Sequence, residues 1–319
     1  MHSIKTCGRE GLNMQGKMIG QKTLRETGGR EVGYAAQAAC LLEVAAPKPG
    51  NVNRYSDFMD LFLEDFLLSA AITGSYMEKA SGKAVGETVL GAVASTQEII
   101  GTNTNLGIIL LFAPVAKAYG SGNLHKKLKD VLASLTVEDS INVYRAVSAA
   151  CAGGMGKVAQ ADISTIPEIT LRESMLLAQE RDSVAREYVT DYEITFGLGR
   201  PVLQALLDRE YDFPAAVVQL YLTLLAEIPD SLIARKNGAV TAAEVSKRAA
   251  AVLRSGGASS EKGIKMIGDF DRYLRQQGNK LNPGTTADLT AAIVFVYFLE
   301  NGLQKWRSIR RKSWHKRGV

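Results

Sequence analysis

The chain has 319 residues, of which 46% are hydrophobic, 22% are charged and three are cysteines. This composition fits a globular protein and excludes the collagen-like, intrinsically disordered and disulfide-scaffold classes. No apolar run reaches the roughly 18 residues that a membrane-spanning helix needs. Few cysteines, none of them at metal-ligand spacing, indicate a reducing compartment. We therefore expect a cytoplasmic protein without a membrane span.

The net charge of +5 is unevenly distributed along the chain. Residues 1–30 carry +4 and residues 303–319 carry +7, which leaves −6 for residues 31–302. The folded body is therefore acidic, and we expect no nucleic-acid binding by it, because such binding relies on basic charge on a folded face. We predict a disordered N-terminal extension over 1–30, one domain over 31–302 and a basic C-terminal tail over 303–319. That tail could contact RNA or anionic lipid, or it could be solvated.

Apolar residues recur at helical spacing along most of the chain. Alternation typical of β-strands is nearly absent, and the β-branched run at 293–296 lies inside a longer apolar helix pattern. Glycine and proline separate the segments, but no Ser/Gly-rich or Pro-rich linker divides the chain. The pattern predicts an all-α single large domain of roughly ten to twelve helices. The predicted helical segments are 31–46, 60–80, 84–100, 106–119, 138–151, 171–189, 199–209, 214–227, 241–255, 259–277 and 285–301.

The residue types restrict the chemistry. Only three histidines are present, and His2 and His315 lie in the predicted tails. We therefore expect neither a His-ligated zinc site nor a Ser–His–Asp triad. The Gly-rich stretch 151–157 ends like a P-loop, but it lacks the first glycine of that motif and is followed by Val158 at the Ser/Thr position. Carboxylates, Lys/Arg, Asn/Thr and helix termini remain as candidate functional groups.

A first polar junction occupies residues 46–60. The preceding helix should end before Pro47, and Lys48 is held between two prolines. Asp57 and Asp60 are predicted to begin the next helix at i, i+3 spacing, so that their carboxylates share a face. Such a pair could hold Mg²⁺ while Lys48 faces phosphate. Alternatively, the two acids could serve only as an N-cap and a first-turn acid.

A second polar junction precedes a strongly apolar helix. Gly101 ends one helix, and four polar residues then follow, Thr102, Asn103, Thr104 and Asn105. A helix N-terminus offers free N–H groups and partial positive charge, which suits phosphate. Capping needs only one such residue, although a polar loop would explain the four equally well.

A third polar junction spans residues 281–296. Asn-Pro-Gly predicts a turn, Thr285 or Thr286 is expected to cap the next helix, and Asp288 falls in its first turn. A carboxylate so close to a deeply apolar segment should be partly desolvated, which raises its pKa and suits ligand binding or proton transfer. A fourth charged cluster, at 179–193, has the pattern of a solvated helix face.

Taken in order, the junctions resemble the triphosphoribosyl-dephospho-CoA synthase family. The matching pieces are EVAAPKPGNVNRYSDFMD, GTNTNLG and NPGTTADLTA, and the similarity covers about residues 31–301. Asn105 stands where the family has histidine, and Thr285-Thr286 stand where it has Gly-Ser. Together with GGMGKV, these departures resemble a divergent branch found in archaea and one-carbon-metabolising bacteria. They leave the acceptor substrate open.

The resemblance implies an enzyme that transfers the triphosphoribosyl group of ATP to the ribose 2′-OH of 3′-dephospho-CoA and releases adenine. The bond broken is then the N-glycosidic bond at C1′. No phosphate bond is cut, which agrees with the incomplete P-loop pattern. Such a displacement passes through an oxocarbenium-like centre, as glycoside hydrolysis does.

The chemistry of this reaction suggests roles for the polar groups at the helix breaks. Asp57 and Asp60 would hold Mg²⁺, while Asp288 or Glu43 would stabilise the oxocarbenium or take the acceptor proton. ATP would be a substrate. The predicted nucleotide-binding residues are Lys48, Arg54, Thr102, Asn103, Thr104, Asn105, Thr285 and Thr286.

Two other interpretations remain open from the sequence. One is a related ATP-dependent pentosyl or phosphoribosyl-type transferase with a different acceptor, in pterin or one-carbon cofactor synthesis. The other is a non-catalytic helical scaffold that contacts RNA or a membrane through its basic tail. The oligomeric state is open too, because the apolar helix at 285–301 could line a homodimer interface or a core.

Overall fold

Helices make up the regular secondary structure of the residues that the computed structural model describes, which are 13–152, 167–209, 211–276, 278 and 280–309. The predicted all-α fold is confirmed. The fourteen α-helices in these ranges are α1 (Asn13–Ala45), α2 (Leu63–Met77), α3 (Val85–Ile100), α4 (Leu106–Ala118), α5 (Leu124–Ala133), α6 (Val137–Ala152), α7 (Leu171–Ala178), α8 (Ser183–Val189), α9 (Arg200–Asp208), α10 (Phe213–Glu227), α11 (Ser231–Asn237), α12 (Ala239–Arg254), α13 (Glu261–Arg275) and α14 (Gly284–Asn301).

The described residues hold slightly more helices than the sequence predicts. Two short helices, α5 and α11, escape the apolar pattern; α5 is Lys-rich but buries three leucines on one face. The predicted segment 171–189 is also divided in two. Its break falls at Asp182, whose side chain accepts a hydrogen bond from Val184 N and caps α8. An Asp in this position starts a new helix because its carboxylate satisfies a backbone N–H group that has no partner within the helix.

The core is organised around α14, which is apolar on every side and buried along most of its length. It packs against α1, α4 and α10. Phe295 stacks on Phe112 of α4 with ring centroids 4.3 Å apart, and Phe298 stacks on Phe213 of α10 at 5.8 Å. A helix that is apolar all round belongs in a core. The prediction of a buried helix rather than a strand at 293–296 is therefore confirmed.

The apolar helix α4 contains a proline, and a tyrosine hydroxyl replaces the backbone hydrogen bond that the proline cannot make. Pro114 has no N–H group to donate to Leu110 O. Instead, the hydroxyl of Tyr188 donates to Leu110 O at 2.7 Å, and the hydroxyl of Tyr192 donates to Leu111 O at 2.9 Å. These bonds attach α8, and the turn that follows it, to α4.

The loop between α1 and α2 is held against α10 and α13. Gly50 has a φ of 78°, and a Cβ at this position would lie 2.6 Å from Leu274, so only glycine suits it. Gly50 N donates to Asp271 Oδ1 at 2.7 Å, and the hydroxyl of Tyr221 donates to Pro49 O at 2.9 Å. The Pro-Lys-Pro-Gly-Asn stretch is thereby fixed from two sides.

Both predicted terminal regions are partly described. Helix α1 begins at Asn13, within the predicted extension 1–30. Near the other end, Trp306 packs edge-on against Phe213 with centroids 5.4 Å apart, so the first residues of the predicted basic tail contact the core. The domain boundaries drawn from the sequence stay predictions.

Three segments that carry sequence predictions lie outside the described residues, namely 1–12, 153–158 and 310–319. The Gly-rich stretch after α6 falls in the second of these segments. The contact of the basic tail with RNA or lipid stays a prediction.

No single described helix is both long and apolar enough to cross a membrane. Helices α10 and α11 meet the length and composition criteria together, but they are bent by 53° at the break between them. Most residues of α10 are buried against the rest of the chain, as in a core helix.

Candidate active site

A cavity of about 540 Å³ lies where the predicted polar junctions meet. Its wall contains the end of α1, the loops 51–61 and 102–105, the first turns of α4, α8 and α14, and parts of α6, α7 and α11. This volume is typical of small-molecule sites, which span roughly 300–1,000 Å³. The N-termini of α4 and α14 carry partial positive charge, so this part of the wall favours anions.

The second junction lines the cavity, but its polar residues have different partners. Asn103 Oδ1 accepts a hydrogen bond from Leu106 N at 3.0 Å and so caps α4. Asn105 instead faces α2, where its amide donates to Thr73 Oγ1 at 2.7 Å. All four predicted residues lie in the cavity wall, Thr102, Asn103, Thr104 and Asn105.

In the third junction, α14 is capped by Asp230, the residue that precedes α11. The prediction that Thr285 or Thr286 caps α14 with its own side chain is wrong, because Asp230 Oδ2 accepts from both Thr286 N and Thr286 Oγ1 at 2.8 Å. Asp230 Oδ1 accepts from two backbone N–H groups at the start of α11. One buried carboxylate thus joins the N-termini of α11 and α14. Thr285 lines the cavity, whereas Thr286 does not.

Asp288 lies in the cavity wall, half-buried, about one turn into α14. Its carboxyl group packs against the start of α4, where a Cβ added to Gly107 would lie 2.1 Å from Asp288 Oδ2. Within the described residues, no hydrogen bond reaches this carboxyl group. Burial raises the pKa of Asp288 well above its usual range, and the neighbouring carboxylates of Glu43 and Asp230 raise it further. Asp288 is therefore a candidate to carry a proton at neutral pH.

Glu43 reaches the cavity from the end of α1 and is paired with Lys48. Both side chains are buried, and Lys48 Nζ lies 3.0 Å from Glu43 Oε1 and 2.5 Å from Glu43 O. Burial raises the pKa of Glu43 and lowers that of Lys48, and each group opposes the shift in its partner. Lys48 itself is not in the cavity wall. Its placement fits a partner of Glu43 better than the predicted direct phosphate contact.

The predicted metal pair does not assemble. The prediction that Asp57 and Asp60 begin a helix is wrong, because α2 starts at Leu63, whose N–H group donates to Asp57 Oδ1 at 2.9 Å. Asp57 is exposed and lies outside the cavity wall, whereas Asp60 lines it. Nowhere in the described ranges do three or more His, Cys, Asp or Glu side chains form a group that could hold a metal. The two aspartates therefore do not fit a shared Mg²⁺ site.

Arg54 also lies outside the cavity wall. Its Nε donates to Ala45 O, the last carbonyl of α1, at 2.7 Å. A cation at this position interacts favourably with the helix C-terminus. The placement accounts for Arg54 without the predicted phosphate contact.

The cations of the cavity come from α11, which sequence reasoning did not single out. Arg235 and Lys236 line the cavity rim, and Arg235 Nη1 lies 2.5 Å from Asp182 Oδ2. Burial and the charge of Arg235 lower the pKa of Lys236. Two adjacent cations repel each other, and a bound anion would relieve that repulsion. The sequence signal was weak, because basic residues in the last turn are common in surface helices.

The charged cluster at 179–193 is only partly the solvated face predicted. Glu187 is fully buried and accepts hydrogen bonds from Ile194 N at 3.0 Å and Thr195 N at 2.8 Å. The hydroxyl of Thr195 donates to it as well, at 2.5 Å. Burial raises the pKa of Glu187 to about 7. These bonds hold the start of a π-helical segment, Glu193–Gly199, which does not line the cavity.

Two amide side chains of the polar junctions line the cavity and differ in their hydrogen bonds. The amide of Asn51 donates to the hydroxyl of Tyr221 at 2.9 Å. The Oδ1 atom of Asn282 is buried without a hydrogen-bond partner among the described residues. Asn282 therefore keeps hydrogen-bonding capacity that a ligand could use after a side-chain rotation.

Comparison with known proteins agrees with the predicted resemblance. Residues 29–307 match a family model described as ATP:dephospho-CoA triphosphoribosyl transferase. Among solved structures, the chain is similar to an Archaeoglobus fulgidus protein assigned as a triphosphoribosyl-dephospho-CoA synthase. The identity is 27% and the TM-score 0.56, over 73% of this chain and 98% of the other. No curated protein matches the chain. The chain is therefore an enzyme and belongs to the ATP:dephospho-CoA triphosphoribosyl transferase family.

Proposed function

We propose that this cavity transfers the triphosphoribosyl group of ATP to the ribose 2′-OH of 3′-dephospho-CoA and releases adenine. One observation carries the proposal: a single cavity holds the carboxyl groups of Glu43 and Asp288, whose pKa values are raised by burial, together with two cations, Arg235 and Lys236. The reaction needs both sets, because it must bind a polyphosphate, take a proton from the acceptor hydroxyl and give one to the departing adenine.

The proposed reaction breaks the bond between C1′ of the ATP ribose and N9 of adenine. A new bond forms between C1′ and the 2′ oxygen of dephospho-CoA. The acceptor hydroxyl loses a proton and adenine gains one, so atoms and charge balance without hydrolysis. Positive charge develops on the ribose in the transition state, where a carboxylate stabilises it.

Arg235 and Lys236 hold the triphosphate in this proposal, together with the first turns of α4 and α14. Thr102 and Thr285 lie in the same wall and supply hydroxyl groups. Because Mg²⁺ usually binds through one or two carboxylates and substrate phosphates, Asp60 remains a candidate ligand for a metal that accompanies ATP. No proton transfer in the proposal depends on that metal.

Asp288 and Glu43 divide the proton transfers between them. Burial raises the pKa of Asp288 and so favours its protonated form, which suits it to protonate the departing adenine. Glu43 is held beside the ammonium group of Lys48, which favours its anionic form and suits it to accept the proton of the 2′-OH. Two carboxyl groups in different environments can thus act as acid and base in one site.

The test is to incubate the full chain with Mg-ATP and dephospho-CoA and to analyse the products by chromatography and mass spectrometry. We expect free adenine in equal amount with an adduct that carries all three phosphates. Formation of ADP or AMP instead would contradict the proposal, because it would show cleavage of a phosphate bond. Reactions without dephospho-CoA measure adenine released by hydrolysis alone.

A different acceptor is the second candidate, and the placement of Asn105 favours it. Asn105 lies in the cavity wall where the family has an ionisable histidine, and its amide is bonded to Thr73. An asparagine at this position cannot exchange a proton near neutral pH. Adenine release that requires a pterin or one-carbon cofactor precursor, and not dephospho-CoA, would support this alternative. With ATP as donor in either case, we place the reaction in the cytoplasm.

A further inference from the structure

Tyr144, one of the aromatic residues of the cavity wall, has no hydrogen-bond, ring or cation partner among the described residues. Tyr144 of α6 is half-buried and lines the cavity. Within the described residues, its hydroxyl makes no hydrogen bond and its ring contacts no other ring or cation. An aromatic side chain without such a partner has a face available for a ligand.

The core tyrosines and the other aromatic residues of the cavity differ from Tyr144. The hydroxyls of Tyr188, Tyr192 and Tyr221 all donate to backbone carbonyls in the core. Phe58 also lines the cavity, but its ring lies 5.4 Å from the guanidinium carbon of Arg275. Phe66 lines the cavity too and packs against the hydrophobic cluster that contains Phe58. These rings have structural partners, whereas Tyr144 has none in the described chain.

The cavity wall changes in character from α11 to α6. Arg235 of α11 is paired with Asp182 at the start of α8, α8 packs on α7, and α7 packs on α6. Arg235 and Asp182 are charged, whereas the side chains that α6 and α7 supply to the wall are uncharged and mostly apolar, among them Met175 and Val147. A nucleoside triphosphate has the same two kinds of part, charged phosphates and an uncharged planar base.

We propose that Tyr144, with the apolar side chains of α6 and α7, binds the purine base of the nucleoside triphosphate by stacking. This assignment rests on the proposed function and explains how the site would select a purine nucleotide. The lining side chains that α6 and α7 supply carry no charge. Selection there depends on stacking area, which is larger for purines than for pyrimidines.

Equilibrium binding to the full chain tests the assignment, with ATP and inorganic tripolyphosphate as separate probes and no acceptor present. The variants are Tyr144→Ala, which removes the ring, and Tyr144→Phe, which keeps it. Tyr34→Ala is the matched control, because Tyr34 is 59% exposed on α1 and lies outside the cavity wall. Isothermal titration calorimetry gives the dissociation constant for each pair.

Removing the ring should weaken ATP binding on the order of tenfold, in line with other base–aromatic contacts. Tripolyphosphate, which has no base, should bind the wild type and Tyr144→Ala equally. Tyr144→Phe and Tyr34→Ala should bind both probes as the wild type does. CTP should bind the wild type more weakly than ATP, and this preference should disappear in Tyr144→Ala.

Equal ATP binding by Tyr144→Ala and the wild type would overturn the base site and leave the proposed function intact. Loss of tripolyphosphate binding in Tyr144→Ala would also overturn it, because the substitution would then act on the cavity as a whole. A wild type that binds neither ATP nor tripolyphosphate would overturn the proposed function itself.

Discussion

Two carboxyl groups in this protein have pKa values raised by burial but opposite surroundings. Glu187, beside the π-helical segment, accepts three hydrogen bonds from Ile194 and Thr195. Asp288, in the cavity wall, accepts none from the described residues and lies near other carboxylates. Burial alone therefore does not mark a catalytic acid. What separates the two is that Asp288 keeps its hydrogen-bonding capacity for a ligand, whereas the protein uses all three bonds to Glu187 for its own fold.

Glu43 and Asp230 extend the comparison. Asp230 resembles Glu187, because its two oxygens are fully used by the N-termini of α11 and α14. Glu43 is intermediate, since it lines the cavity and is also paired with Lys48. These four carboxyl groups should therefore respond differently to substitution.

The largest loss of stability should follow Lys48→Met. This substitution leaves the Glu43 carboxylate buried without its partner, which typically costs about 3–5 kcal/mol. Urea unfolding monitored by circular dichroism measures the change in the free energy of unfolding. The double variant Lys48→Met/Glu43→Gln should recover most of it, because no uncompensated charge remains. A loss of stability below about 1 kcal/mol in the single variant would argue against a buried ion pair.

The next effect concerns the pH dependence of stability at Glu187. Its pKa rises from 4.5 to about 7 on folding, so between these pH values the folded state binds more protons and stability falls as pH rises. The shift corresponds to about 3 kcal/mol lost between pH 4.5 and 7.

Urea unfolding at several pH values should show a steeper decline in the wild type than in Glu187→Gln, because the variant loses only the contribution of this group. Glu193→Gln is the matched control, since Glu193 belongs to the same segment but its side chain is 63% exposed. Identical pH profiles for the wild type and Glu187→Gln would contradict the assigned shift.

Gly107→Ala should reduce activity with a smaller effect on stability. The added methyl group would lie 2.1 Å from Asp288 Oδ2 and must displace that carboxyl group. Misplacing a proton donor by about 1 Å can cost up to roughly a hundredfold in rate, so we expect kcat to fall at least tenfold. The control Gly268→Ala has room for its methyl group in α13. An unchanged kcat in Gly107→Ala would show that Asp288 is not positioned through this contact.

The smallest predicted effect is on ATP binding by the cavity cations. Lys236→Met should raise KM for ATP on the order of tenfold, with kcat little changed, because one charge-assisted contact to phosphate is lost. Lys247→Met is the matched control, since Lys247 is exposed on α12 and lies outside the cavity wall. Equal KM values for the two variants would place the triphosphate elsewhere.

The sequence predicted the fold class well, because helical spacing of apolar residues reflects burial directly. The sequence also indicated that the second and third junctions belong to one site, because polar residues at the starts of apolar helices are unusual. Asp57 and Asp60 were misplaced, because a loop precedes α2 and spacing alone does not distinguish a loop from a first turn. Asp230 could not be assigned as the cap of α14, since capping by a distant residue leaves no local pattern. The cations of α11 were missed for the same reason, because only tertiary packing brings them to the cavity.

The most direct test of the account compares adenine release by Asp288→Asn and Glu187→Gln, at equal concentrations of folded protein and with saturating substrates. Both substitutions replace a carboxyl group with an amide, but only Asp288 is placed to donate a proton to a ligand. We predict that Asp288→Asn releases adenine at least a hundredfold more slowly than Glu187→Gln, in line with the loss of a general acid. Equal rates in the two variants would contradict the assignment of Asp288 as the proton donor of the cavity.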